Sequence, residues 1–143
     1  MKKKFQVLSE LSQVHKASGE VLSFLKPLEL SEAQVFDIRL CVEEALVNAI
    51  KYGNRQRKEL PVDVEAEYDD DQIRIRVQDQ GSGFQPGVLP DCTEGENKSR
   101  GHGRGVYLMH QLMDEVRYNK TGNSLLMVKS LKKKATPSSK GGV

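Results

Sequence analysis

The stretch that most constrains the fold is VDVEAEYDDDQIRIRVQ, residues 62–78, where apolar residues fall on every second position in two successive runs. Val62, Val64, Ala66 and Tyr68 share one face, and Asp63, Glu65 and Glu67 share the other. In the second run Ile73, Ile75 and Val77 oppose Arg74, Arg76 and Gln78. A period of two is the mark of a half-buried strand. For both apolar faces to coincide, even-numbered positions must pair with odd ones. A four-residue loop, Asp69 to Gln72, does this and sets Glu67 opposite Arg74 and Glu65 opposite Arg76. The hairpin then has one solvated face, so helices cover one side of the sheet only.

Those helices precede the hairpin. Leu11, Val14, Val21, Leu22 and Leu25 recur at helical spacing, with Ser18 as a gap, and Pro27 stops the run. Ser31 followed by Gln34 forms a capping box. Val35, Ile38, Val42, Ala45, Ala49 and Tyr52 continue as the core stripe of a helix from about Glu32 to Tyr52, and Gly53 ends it where a left-handed residue is wanted. Lys3 to Ser9 reads as a short first strand.

Residues 85–102 show no periodicity and form a long loop. Arg104 to Met113 reads as a short helix with Val106, Met109, Leu112 and Met113 towards the core. Glu115 to Lys120 and Ser124 to Leu131 are the closing strands, and the continuous apolar run Leu125 to Val128 leaves the facing of the last one open. Helices and strands do not alternate. The fold class is therefore α/β, a two-layer sandwich with a mixed, mainly antiparallel sheet covered on one face by helices, and not a dinucleotide-binding fold.

The 143 residues suit one domain, expected over 1–131 with a solvated basic tail at 132–143. The net charge of +2 suggests a nucleic-acid partner until its distribution is considered. Lys2, Lys3, Lys4, Lys132, Lys133, Lys134 and Lys140 are seven of the 22 basic residues, which leaves 15 basic against 20 acidic side chains over residues 5–131. The domain itself is acidic, so no nucleic-acid partner is expected. No apolar run approaches the ~20 residues that span a bilayer, and MKKKFQVLSE lacks the apolar segment of a secretory signal. No membrane partner and a cytoplasmic location follow as expectations. Cys41, Cys92, His15, His102 and His110 are scattered, so no structural metal is expected.

Three short stretches carry the chemistry. CVEEALVNAIKYGN places Glu44 and Asn48 four residues apart, on one helix face beside the apolar stripe. Taken alone, such a pair is an ordinary helix-surface pair. QDQGSGF ends a strand in Asp79 and follows it with Gly81 and Gly83, which suits an Asp-started turn as well as a binding site. SRGHGRGVYLM sets Gly101, Gly103 and Gly105 before a helix, where backbone N–H groups can meet phosphate, but it lacks the Lys-Ser/Thr pair of a P-loop.

In this order and spacing the three stretches resemble the boxes of the GHKL ATP-binding family, and within it the anti-sigma factor serine kinases of bacteria. The resemblance covers about residues 8–131 and is specific at all three boxes. It implies the GHKL (Bergerat) fold, with ATP and Mg²⁺ as cofactors. Asn48 would hold the metal through its amide oxygen. Asp79 would accept a hydrogen bond from the adenine amino group, with Gly81 and Gly83 letting the base pack against the backbone. Gly101, Gly103 and Gly105 would cradle phosphates at the end of a mobile lid over 85–102, with Arg100, His102 and Arg104 in the same nucleotide-binding set. Glu44 would be the base towards a serine hydroxyl. Its rival Glu43 lies about 100° round the helix, where it can pair with Arg39 at i−4.

The function so implied is a serine/threonine protein kinase that sequesters a sigma factor and phosphorylates an anti-anti-sigma (STAS-type) partner; the resemblance also admits a homodimer. Two alternatives stay open. One is a regulatory module that binds ATP without transferring phosphate. The other is a histidine-kinase catalytic domain, disfavoured because only some thirty residues precede Ser31 and His15 lies in a short helix.

Overall fold

The computed structural model describes residues 1–81, 108–119 and 122–131. Five strands form one sheet: β1 (Lys2–Val7), β2 (Val62–Tyr68), β3 (Gln72–Gln78), β4 (Glu115–Tyr118) and β5 (Ser124–Ser130), in the order β1-β2-β3-β5-β4. Every described pairing is antiparallel. The hairpin register is the one that the alternation dictates, with Glu65 opposite Arg76 and Glu67 opposite Arg74. On the solvent face the charges pair across strands, Lys2 to Glu65 at 2.7 Å and Arg74 to Glu67 at 3.3 Å.

Val62, Val64, Ala66, Ile73, Ile75 and Val77 point the other way and are fully or almost fully buried. Two helices cover them: α1 (Val14–Phe24), entered through a 3-10 turn, Leu11–Gln13, and α2 (Glu32–Asn48). The α2 start is held by the capping box. The Gln34 N–H donates to Ser31 Oγ at 3.1 Å, and the Ser31 N–H donates to Gln34 Oε1 at 2.9 Å. Ile38, Cys41, Val42, Ala45 and Leu46 are its buried side. Burial also pushes the Cys41 thiol up to about 12, so it behaves as a core residue. Residues 108–112 are helical, with Met109 and Met113 buried in the same core.

Three expectations change. The end of α2 is not a plain helix terminus: Ala49–Gly53 forms a π turn, in which the Asn54 N–H reaches the Ala49 carbonyl at 2.7 Å. The wider turn breaks the three-and-four spacing, so Tyr52 leaves the stripe and is 41% exposed. Gly53 is not left-handed; in this stretch Arg55 (52°) and Gln56 (59°), just beyond it, take positive φ.

The open question of β5 is also resolved. Leu125 and Met127 lie in register with Val77 and Ile75 on the core face, while Leu126 and Val128 sit beside Arg76 and Arg74 on the other. Val128 is nevertheless buried, so the outer face is not solvated throughout.

Expectations that fall on residues 82–107, 120–121 and 132–143 lie outside the described residues. They include the loop or lid at 85–102, the helix start at Arg104, Cys92 and the basic tail.

Candidate active site

The site is built where the end of α2 meets the end of β3. A helix rises about 1.5 Å per residue, so Asn48 lies roughly 7 Å and Glu44 roughly 13 Å along α2 from the glycine that closes it. The π turn presses that glycine against Asp79. A Cβ on Gly53 would come within 2.2 Å of both Cγ and Oδ2 of Asp79. Gly81 is locked from the other side, since a Cβ there would lie 2.2 Å from the Gly53 carbonyl oxygen. The two glycines are required by a close approach of two backbones around one carboxylate.

Asp79 serves as both the turn residue and the candidate ligand group. Its Oδ1 accepts the Gly81 N–H at 2.8 Å, the local turn that Asp-x-Gly favours. Its own N–H donates to the Asn123 carbonyl at 2.9 Å, tying the loop to the start of β5. Asp79 is only 9% exposed, and burial raises its carboxyl above the ordinary aspartate value against the opposing pull of the Gly81 N–H. No described side chain brings a positive charge to it. A half-satisfied, desolvated carboxylate of this kind gains most from a donor on a ligand. Tyr118, which sequence reasoning missed, lies close enough that burial and then the Asp79 charge push its phenol up to about 12.

Along α2, Glu44 and Asn48 occupy the shared face that their spacing requires. Burial raises the Glu44 carboxyl, and the Lys51 charge opposes the rise. Higher proton affinity is what a carboxylate base needs. The Asn48 amide nitrogen is buried with no hydrogen-bond partner among the described residues. Buried amides are rarely left so, and an orphan of this kind marks a side chain that a ligand can engage.

Glu43 is otherwise engaged, though not as its helix spacing implied. In place of Arg39 it takes Ser18 and His15 from α1: Ser18 Oγ donates to Glu43 Oε2 at 2.6 Å, and His15 Nδ1 lies 3.1 Å from the same oxygen. The apparent gap at Ser18 is thus a buried anchor between the helices. Arg39 instead reaches His15, Nη1 to Nδ1 at 3.5 Å. Gly83, Arg100, Gly101, His102, Gly103, Arg104 and Gly105 lie outside the described residues.

The model of the histidine kinase-like ATPase domain matches residues 7–129. The chain belongs to that family. Within the family it is similar to an anti-sigma F factor of Clostridium novyi (strain NT), 29% identical over 137 residues that cover 92% of this chain and 95% of that one. It is also similar to the serine-protein kinase RsbW of Staphylococcus epidermidis, 33% identical over 105 residues, 68% of this chain and 66% of the kinase. A crystal structure of the RsbU and RsbW domains of a Mycobacterium tuberculosis protein matches 91% of this chain and 31% of its own, with a TM-score of 0.61 at 14% identity. At that identity it speaks to the fold alone.

The described residues fit the nucleotide that this ATPase family implies. The Gly53–Asp79–Gly81 cradle leaves a carboxylate oxygen that no described donor reaches, and the orphaned Asn48 amide stands one to two turns away on the same helix. An amide oxygen is also a fitting ligand for a hard divalent cation. Among the described residues, no helix is long and apolar enough to cross a membrane.

Proposed function

We propose that this chain is an ATP-dependent serine/threonine protein kinase of the anti-sigma type, which sequesters a sigma factor and phosphorylates an anti-anti-sigma partner of the STAS type in the cytoplasm. The observation that carries the reading is the pairing of two polar groups left short of protein partners: Asp79, desolvated between Gly53 and Gly81, and the orphaned amide of Asn48. The names of the relatives from Clostridium novyi and Staphylococcus epidermidis support the anti-sigma and serine-kinase parts.

Bound Mg-ATP supplies the phosphoryl group and the cation that neutralises phosphate charge. Asp79 would accept a hydrogen bond from the adenine amino group through the oxygen not used by the Gly81 N–H. Asn48 would hold the metal through its amide oxygen. Glu44 would take the proton of the substrate serine at its carboxylate as the serine oxygen bonds to the γ-phosphorus and the bond from that phosphorus to the bridging oxygen breaks, with ADP as the leaving group. The rigid helix fixes base and metal ligand relative to each other, and phosphoryl transfer depends chiefly on such positioning.

The histidine-kinase alternative needs an accepting histidine on a separate dimerisation helix. His15 instead sits on α1, against Glu43 of the same domain. Incubation of the chain with Mg-ATP and the anti-anti-sigma protein of its host, read by mass spectrometry, is expected to give phosphoserine or phosphothreonine on the partner. Glu44→Ala is expected to keep ATP binding and lose transfer. ATP binding without transfer by the wild type identifies a non-catalytic regulatory module, and normal transfer by Glu44→Ala removes Glu44 as the base.

A further inference from the structure

Asn54 is 1% exposed, yet its side chain is fully engaged. Its amide oxygen accepts the Gln80 N–H at 2.6 Å. Its amide nitrogen donates to Ser9 Oγ at 2.9 Å, to the Leu60 carbonyl at 2.8 Å and to the Pro61 carbonyl at 3.1 Å. With an N–H donor on one side and, on the other, three acceptors that share the two amide hydrogens, only one orientation of the amide fits. Gln80 is the residue between Asp79 and Gly81, so this bond grips the middle of the candidate adenine loop. The anchor is equally buried: Ser9, 1% exposed, donates in turn to the Leu60 carbonyl at 2.5 Å.

We propose that Asn54 is a positioning residue for nucleotide recognition, its amide clamping the Gln80 N–H to the Ser9–Leu60–Pro61 wall so that Asp79 and Gly81 present one arrangement to a purine. The inference rests on the reading of Asp79 as the group that accepts a hydrogen bond from the adenine amino group. The amide is needed because the site demands an acceptor and a donor from one side chain. Aspartate would accept from Gln80 but set a carboxylate against two carbonyls and a hydroxyl. Alanine would release the loop and leave the Gln80 N–H and the Pro61 carbonyl short of partners, while the Leu60 carbonyl keeps Ser9. The π turn makes the clamp possible, since Asn54 leaves it with its N–H on the Ala49 carbonyl.

The test is the preference for ATP over GTP, measured by equilibrium titration of wild type, Asp79→Asn, Asn54→Ala, Asn54→Asp and Ser9→Ala, with folding checked by circular dichroism. A merely structural role lowers the competent fraction and weakens both nucleotides alike, which leaves their ratio unchanged. A positioning role weakens ATP selectively. Asn54→Ala is expected to contract the preference by about tenfold, the loss of roughly one well-placed hydrogen bond, and Ser9→Ala by less. Where Asn54→Ala does not fold, Ser9→Ala carries the decision. A preference lost in Asp79→Asn but intact in folded Asn54→Ala, or in Ser9→Ala when the former does not fold, overturns this inference alone. A wild-type chain with no preference for ATP overturns the Asp79 reading and this inference with it.

Discussion

The solvent face of the sheet and the end of α2 are both rich in polar groups, and they treat them in opposite ways. On the sheet face, Lys2, Glu65, Glu67 and Arg74 find partners across the strands while staying in contact with water. At the end of α2, Asp79, Glu44 and Asn48 are withdrawn from water and left incompletely satisfied. Exposed ion pairs add little stability, typically about 0–1 kcal/mol, because solvent competes for both charges. Partly buried groups without partners cost stability and are kept only where something else uses them. The contrast separates charges that keep a surface wet and in register from polar groups that the proposed function assigns to a ligand.

The largest expected effect is on catalysis. Glu44→Gln keeps the size of the side chain and removes its basicity, and phosphoryl transfer is expected to fall by about 10²–10⁴-fold. The same substitution is expected to raise thermal stability at neutral pH. Burial raises the folded-state value of Glu44, so the stability that its protonation contributes is present below the unfolded value, about 4.3, and is lost as pH rises through the folded one. The neutral amide of Glu44→Gln escapes that loss, so the gain over wild type should shrink towards acid pH and vanish below about 4.3. Melting curves from pH 4 to 8 check it. A gain that does not change with pH would place Glu44 on the same footing as the surface charges.

A smaller but still large effect is expected at the cradle. In Gly81→Ala the new Cβ meets the Gly53 backbone, which has no side-chain freedom to yield. Overpacking of this kind costs about 1–3 kcal/mol, and the displaced Asp79 is expected to weaken ATP binding by about 100-fold. Titration and denaturant unfolding of the same preparation read both. Wild-type ATP affinity in Gly81→Ala would break the link between the cradle and the ligand.

What the residues reveal in advance is whatever depends on neighbours in the chain. Strand alternation specifies the Glu65–Arg76 register, the Ser31–Gln34 spacing specifies the capping box, and a four-residue step puts Glu44 and Asn48 on one face. What stays hidden depends on residues far apart in the sequence. Gly53 reads as a helix end because nothing nearby announces Asp79, 26 positions on. Asn54 reads as loop, although its partners come from Ser9, Leu60, Pro61 and Gln80. Helix geometry matches Glu43 to Arg39, whereas buried Ser18 on α1 offers a bond with less competition from water.

The smallest effect is expected on the sheet face. Glu67→Ala and Arg74→Ala should each change stability by no more than about 0.5 kcal/mol, with a coupling of about 0.2–1 kcal/mol in the double-mutant cycle that weakens in high salt. Neither should alter ATP affinity. A coupling well above that range would show that the outer face is less open to water than its ion pairs suggest, and buried Val128 beside Arg74 is where to look.

The π turn also acts as a phase shifter. Upstream of it, Glu44 and Asn48 are indexed by the ordinary α-helical pitch; downstream, Gly53 and Asn54 are indexed one position late. A change within 49–53 that restored the ordinary pitch at the same chain length would leave the upstream groups where they are and swing the downstream ones by about 100°. Gly53 would then turn away from Asp79 and Asn54 from Gln80. The two halves of the site are geared to one another through a single extra residue, and deleting one residue together with that change would return Asn54 to its place one ordinary turn beyond Ala49, with its N–H on the same carbonyl.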